Sequence, residues 1–102
     1  MINVIAVITA KPGKREEVLA AFKANVPAVR AEKGCIEYAA ATDSQGMGKF
    51  QTPIGADTFM VIEKWASKED LMAHAAAPHM AAYGAKVKDL LASRVIHVLD
   101  PA

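Results

Sequence analysis

The spacing of apolar residues along the chain predicts four β-strands. From residue 2 to residue 10, apolar side chains occupy both sets of alternating positions, so both faces of this strand are largely apolar. Three further apolar runs are separated from the rest of the chain by glycine, proline or polar residues. The predicted strands are residues 2–10, 35–42, 58–66 and 93–100.

Two helical segments are predicted between these strands. Residues 14–32 carry apolar side chains at the spacing of an amphipathic helix. Pro27 is expected to kink or divide this helix near its last turn, and Gly34 is expected to end it. The second helical segment begins at Ser67 with a capping-box pattern, and Pro78 suits the first position of a new helix.

The order β-α-β-β-α-β predicts one α+β domain over residues 1–102, with a ferredoxin-like fold. The helices would cover one face of an antiparallel sheet and leave the other face bare. Because three of the strands are apolar on both faces, both faces are expected to be buried. A chain of this length has no further element for the second face, so we expect a homodimer that pairs through its sheet faces.

Residues 43–57 contain three glycines and a proline and are predicted to form a long loop between two strands. Loops of this length in compact domains are often functional. Phe50 is a candidate lid residue over a pocket, since the glycines would allow the loop to move. An ordinary surface loop is the alternative that the sequence leaves open.

Charge and cysteine content exclude several classes of function. The chain has 12 Lys and Arg against 11 Asp and Glu, and its basic residues are scattered, which disfavours nucleic acids and anionic membranes as partners. The single Cys35 excludes an internal disulfide and a multi-cysteine zinc site, and a packed core position is the expected role. The N-terminal apolar run is too short to span a bilayer, and its first cation, Lys11, follows it. These features predict a cytoplasmic protein.

Residues 63–83 contain the only tryptophan and two of the three histidines of the chain. On the third strand Glu63 and Trp65 share a face with Phe59, and His74 lies on the apolar side of the following helix. A carboxylate, an indole and an imidazole are therefore expected to converge where this helix packs on the sheet. Such a mixture is typical of a small-molecule pocket, and a histidine beside a buried carboxylate suits proton transfer. A plain core role for Trp65 and His74 is the alternative.

Other kinds of site are less well supported. His74 and His79 are five residues apart, which is about 140° around a helix, so they are not expected to share a face as metal ligands. No metal site is predicted. The sequence GMGKF at residues 46–50 lacks the third glycine of a dinucleotide motif and precedes no predicted helix.

The sequence IEKWASKEDLMAHAAAPHMAAY resembles the E-x-W…L-x-x-H…P-H signature of the antibiotic biosynthesis monooxygenase superfamily, and more narrowly its small quinol monooxygenases. The likeness continues through VIAVITAKPGK, VPAVRAEKGCIEYA and FQTP…AD, and so spans the whole chain. The resemblance implies a dimeric ferredoxin-like fold whose paired sheets form an α/β-barrel. It also implies an aromatic substrate held between the sheet and the helices.

The same resemblance implies oxidation of a quinol or polyphenolic aromatic by O2 without flavin, haem or metal. His74 is implied as the proton-transfer residue with Glu63 as its orienting partner, and His79 is a second candidate for proton transfer. The implied walls of the substrate pocket are aromatic residues, namely Trp65, Phe59, Tyr38 and Tyr83, with Phe50 from the long loop.

One departure from the superfamily narrows the expected chemistry. Its haem-degrading branch uses an asparagine on the first strand, where this chain has Ala6, and the nearest asparagine is Asn3. Haem degradation is therefore disfavoured. A small-ligand isomerase, a binding protein of the same fold and a dimeric domain without catalysis remain as alternatives, because fold alone does not decide chemistry.

Overall fold

Four antiparallel strands form one open sheet in the computed structural model, which describes residues 1–102. The strands are β1 (Ile2–Ala10), β2 (Cys35–Ala41), β3 (Thr58–Trp65) and β4 (Leu91–Leu99). Their spatial order is β2-β3-β1-β4, and every neighbouring pair is antiparallel. This arrangement confirms the predicted ferredoxin-like α+β fold.

The first helix, α1 (Arg15–Arg30), lies close to its predicted position. It runs through Pro27 without dividing, and the Pro27 carbonyl accepts a bond from the N–H of Ala31 just beyond the helix. The helix therefore ends at Arg30 and not at Gly34. Gly34 instead shapes the turn that leads into β2.

The second helical segment is divided as the sequence predicts into α2 (Lys68–Ala75) and α3 (Pro78–Val87). The Ser67 side chain accepts a hydrogen bond from the Asp70 backbone N–H at 3.1 Å, which caps the first turn of α2. Pro78 occupies the start of α3, where its missing N–H costs no helical hydrogen bond. A short 3₁₀ turn follows α3 and leads into β4.

The core lies between the helices and one face of the sheet. Alternate residues of β1 from Ile2 to Ala10 are buried against the helices, and the β3 residues Phe59 and Trp65 are fully buried. Helix α1 contributes Val18 and Phe22 to the same cluster. Each large apolar side chain removed from water in this way contributes roughly 1.5–3 kcal/mol to stability.

No helix covers the opposite face of the sheet. That face carries Ile5 and Val7 of β1 beside Met60 and Ile62 of β3, all of them only partly buried. On the neighbouring β4, Val95 is 48% exposed and Leu99 is 46% exposed. The prediction that these strands are apolar on both faces is therefore confirmed.

The segment 43–57 is held together by one carboxylate. Asp43 accepts hydrogen bonds from the backbone N–H groups of Ile54 at 2.9 Å and Gly55 at 3.0 Å, and from the Gln51 amide at 3.3 Å. The two backbone donors lower the pKa of Asp43. A 3₁₀ turn at Gly48–Phe50 gives the middle of the loop further structure.

Gly34 lies where the turn after α1 meets the beginning of α2. Its φ of +80° belongs to the left-handed region, and a Cβ atom added there would collide with the carboxylate and Cβ of Asp70. Its carbonyl accepts a bond from the N–H of Ala66 at 2.8 Å. Only glycine satisfies both the backbone conformation and this close approach.

Replacing Gly34 by alanine should destabilise the fold more than the same change at Gly13. Gly13 also has a positive φ, +76°, but a Cβ there would meet no atom within 4 Å. Gly13→Ala should cost roughly 1–2 kcal/mol of backbone strain. Gly34→Ala should cost at least about 1 kcal/mol more, because Asp70 must also move. Urea unfolding of both variants measures the difference, and equal free energies of unfolding would contradict the close-approach explanation.

Candidate functional site

A cavity of about 470 Å³ lies between the sheet and helices α2 and α3. Fourteen of its 18 lining residues are hydrophobic, and they come from all four strands and all three helices. On β4, the lining residues Ile96 and Val98 are about half exposed, so the cavity opens to solvent on this side. The volume lies within the range of small-molecule sites, ~300–1,000 Å³.

His74 of α2 is an enclosed polar residue of the cavity wall, with 5% of its surface exposed. Its Nδ1 lies 2.8 Å from Oε2 of Glu32, and its Nε2 lies 3.9 Å from Oε1 of Glu63. The imidazole packs on the Trp65 ring with 4.6 Å between ring centroids. The ring is therefore fixed on one side by an indole and on its Nδ1 edge by a carboxylate.

Glu63 and Trp65 project from the same face of β3, as the strand period predicts. The indole Nε1–H donates a hydrogen bond to Oε1 of Glu63 at 2.9 Å. Burial raises the pKa of Glu63, and the nearby charge of Glu32 adds to the rise. The Trp65 hydrogen bond and the charge of His74 oppose the rise without cancelling it.

Glu32, in the turn after α1, was not among the residues singled out from the sequence. Its Oε2 contacts His74 and also lies 3.4 Å from Nε2 of His79 at the start of α3. The other ring nitrogen of His79 lies 3.2 Å from Nδ2 of Asn25 on α1. Neither Glu32 nor Asn25 belongs to a recognisable motif. Both lie far from the two histidines in sequence, so no signal in the sequence indicates that they meet.

The aromatic residues predicted as pocket walls occupy different depths. Tyr38 and Tyr83 line the cavity, and Phe22, which the sequence did not single out, stacks on Tyr38 at 5.0 Å and lines it as well. Phe59 and Trp65 are fully buried behind the cavity wall and do not line it. Their roles as substrate-binding residues stay predictions.

Two predicted residues lie away from the cavity. Phe50 is 90% exposed in the segment 43–57 and does not line the cavity. His79 lines a separate, shallower groove between α1 and α3, together with Asn25. Glu32 contacts both His79 and His74, so the structure brings together Glu63, Trp65 and His74 and places His79 behind them.

The two tyrosines and the cysteine remain in their neutral forms near neutral pH. Burial raises the pKa of the Tyr38 and Tyr83 hydroxyls, so both can donate hydrogen bonds to a ligand but cannot act as bases. Burial likewise raises the pKa of the Cys35 thiol, and Glu32 and Glu63 add to the rise. A thiol of this kind is a poor nucleophile.

No group of three or more His, Cys, Asp or Glu side chains is placed so that it could hold a metal ion. None of the helices has the length and apolar composition required to cross a bilayer.

The chain is similar to known proteins over nearly its whole length. The 103-residue match to the Escherichia coli K12 protein named "Probable quinol monooxygenase YgiN" is 39% identical and covers 99% of this chain and 98% of the relative. The crystal structure of PA3566 from Pseudomonas aeruginosa superposes with a TM-score of 0.82 at 28% identity, over 99% of this chain and 93% of that one. Rv0793 from Mycobacterium tuberculosis gives 0.80 at 27% identity, over 99% and 94%.

The family that matches this chain is the one that its sequence resembles. The family model for antibiotic biosynthesis monooxygenase matches residues 1–86. These residues include β1, β2, β3 and α2, and with them Glu32, Glu63 and His74. The chain therefore belongs to the antibiotic biosynthesis monooxygenase family.

Proposed function

We propose that this protein is a monooxygenase that oxidises a quinol or polyphenolic aromatic with O2, without flavin, haem or metal. The observation that carries the proposal is the position of His74, whose imidazole is enclosed in the wall of a largely apolar cavity. The name of the Escherichia coli relative supports a quinol as the substrate class. The cavity volume and its apolar lining support a ligand of aromatic character.

The cavity offers flat, apolar contacts to a fused-ring ligand. Phe22, Tyr38 and Tyr83 present aromatic rings, and such rings favour offset stacking and edge-to-face contacts with an aromatic ligand. The hydroxyls of the two tyrosines are additional donors for an oxygen atom of the ligand. This combination suits a molecule with a polycyclic body and a few oxygen substituents.

In the proposed reaction, His74 accepts a proton from a ring hydroxyl and so produces an electron-rich anion. One oxygen atom of O2 then enters the ring at a C–H carbon. The second oxygen atom leaves as water, taking the hydrogens of that carbon and of the hydroxyl. The electrons that the ring loses in becoming a quinone equal those that O2 gains. With substrate bound, the apolar walls reduce the contact of water with the reactive intermediate.

We further propose that the protein acts as a homodimer in which two open sheet faces pack together and form a barrel. The support is the apolar face that no helix covers, which includes Ile5, Val7 and Ile62. Contiguous exposed apolar surface of this kind commonly marks an interface between proteins. The cavity lies on the opposite face of the sheet, so pairing would leave it accessible.

Substituting His74 by alanine should lower kcat for quinol-dependent O2 consumption by about 10²-fold or more, because the proton acceptor is lost. An oxygen electrode with a reduced naphthoquinone measures this rate after subtraction of spontaneous oxidation. Glu69→Ala is the matched control, since Glu69 is an exposed residue of the same helix and does not line the cavity. A fall of less than about threefold in His74→Ala would remove His74 from the mechanism.

A wild-type rate that does not exceed the spontaneous rate with any quinol tested would contradict the proposed oxygen chemistry. Turnover of a small ligand that is unchanged when O2 is removed would favour an isomerase of the same fold instead.

Introducing a charge at the centre of the open face should separate the dimer. Ile62→Glu places an unpaired carboxylate where two sheets would pack, and a buried unpaired charge is strongly destabilising. Light scattering should give twice the chain mass for the wild type and a single chain mass for this variant. Met47→Glu, in the exposed loop, is the control and should remain dimeric. A monomeric wild type at micromolar concentration would contradict the proposal.

A further inference from the structure

We propose that Glu32 is a positioning residue that, together with His79 and Asn25, sets the tautomer of His74 so that its bare Nε2 faces Glu63 and the cavity. The inference rests on the proposed function in one respect, namely that His74 is the proton acceptor. It assigns a role to a carboxylate and an amide that lie outside the cavity wall.

A neutral imidazole carries one hydrogen on two nitrogens, so the hydrogen-bond partners decide which nitrogen keeps a lone pair. In this site a carboxylate lies near each nitrogen of His74. Glu32 approaches Nδ1 to 2.8 Å, and Glu63 lies 3.9 Å from Nε2. The two carboxylates therefore compete for a single N–H, and only the first is within hydrogen-bond distance.

The competition favours Glu32 for a second reason. Oε1 of Glu63, the oxygen nearer to His74, already accepts the Trp65 indole N–H at 2.9 Å. Burial also raises the pKa of Glu63, which favours its neutral form over the anion that would attract a second N–H. The His74 hydrogen accordingly belongs on Nδ1, where it is donated to Glu32, and the lone pair remains on Nε2.

His79 and Asn25 support Glu32 from the other side. The Asn25 amide nitrogen donates to Nδ1 of His79, so a neutral His79 carries its hydrogen on Nε2. That nitrogen is buried without a hydrogen bond of good geometry, and Oε2 of Glu32 lies 3.4 Å from it. Both imidazoles therefore lie beside one carboxylate oxygen, which keeps Oε2 of Glu32 next to Nδ1 of His74.

The charged and titratable groups around the two rings come from several elements. Glu63 from β3 and Tyr38 from β2 face His74, and Cys35 of β2 is sensitive to the charge of Glu32. Lys86 and Tyr83 of α3 line the same groove as His79. Apart from Glu32, no other group is within hydrogen-bond distance of Nδ1 of His74.

For catalysis, the consequence is that Glu32 keeps the lone pair on Nε2 of His74, where it can accept a proton. Without an acceptor at Nδ1, a neutral His74 would carry its single hydrogen on Nε2, next to Glu63. The nitrogen that faces the cavity would then be a donor and could not take a proton from a substrate hydroxyl. A similar loss of the correct tautomer in other histidine-dependent enzymes greatly lowers kcat.

Nitrogen-15 spectra of the histidine rings test the tautomer directly in the ligand-free protein. The chain has three histidines, which single substitutions assign. At a pH about two units above the usual histidine pKa of ~6.5, wild-type His74 should show a protonated Nδ1 and a bare Nε2. Glu32→Leu should reverse this assignment, and Glu32→Asp, which keeps a carboxylate, should restore it at least in part.

Glu17→Leu is the matched control, because Glu17 is an exposed carboxylate of α1 that pairs only with Lys14. It should leave the His74 tautomer unchanged. If Glu32→Leu does not fold, Asn25→Leu provides the second variant, and it should weaken the preference of His79 for a hydrogen on Nε2. A wild-type His74 with its hydrogen on Nε2, or an unchanged His74 tautomer in folded Glu32→Leu, would overturn the proposal.

Kinetics should separate a positioning role from a binding role. In the quinol assay, Glu32→Leu should lower kcat by at least about tenfold with KM changed by less than about twofold, since Glu32 does not line the cavity. Recovery of kcat in Glu32→Asp should follow recovery of the tautomer. A wild type that is inactive on quinols would contradict the proposed function, whereas the spectra would still decide the role of Glu32.

Discussion

The short contact between His74 and Glu32 is the interaction on which the site depends. An imidazole that is almost wholly removed from water requires a polar partner, or its burial opposes folding. Glu32 supplies this partner from a turn 42 residues away in sequence. The same turn reaches α2 a second time, since Gly34 accepts the Ala66 N–H and lies against Asp70. The polar contact and the close glycine approach therefore hold α2 against this turn at two points, near its start and near its end.

The element order and the faces of the strands could be predicted because they are local properties. Alternation in β3 placed Glu63, Trp65 and Phe59 on one face. The Ser67 cap begins α2 and Pro78 begins α3, as expected. Periodicity gives the face of a residue but not its depth. Phe59 and Trp65 are on the predicted face yet lie behind the cavity wall, because Phe22 and His74 pack between them and the open space.

Glu32 and Asn25 could not be predicted, because their roles depend on long-range geometry. Asn25 meets His79 across 54 residues of sequence, and this contact exists only where α1 packs beside α3. In the sequence, Phe22 has the spacing of an ordinary core residue of an amphipathic helix. Only the packing of α1 brings it to the cavity. Pro27 does not divide α1, since a proline near the end of a helix removes few helical bonds.

Two carboxylates flank one histidine in this site, and their surroundings give them different properties. Glu63 is deeply buried, accepts an indole N–H and has a raised pKa. Glu32 lies closer to solvent and has two imidazoles as neighbours. Pairs of titratable groups whose environments differ in this way are common where acid–base chemistry occurs. Because the two carboxylates lie at opposite nitrogens of His74, the proposed tautomer gives the imidazole a direction, with its hydrogen towards the turn after α1 and its lone pair towards Glu63 and the cavity.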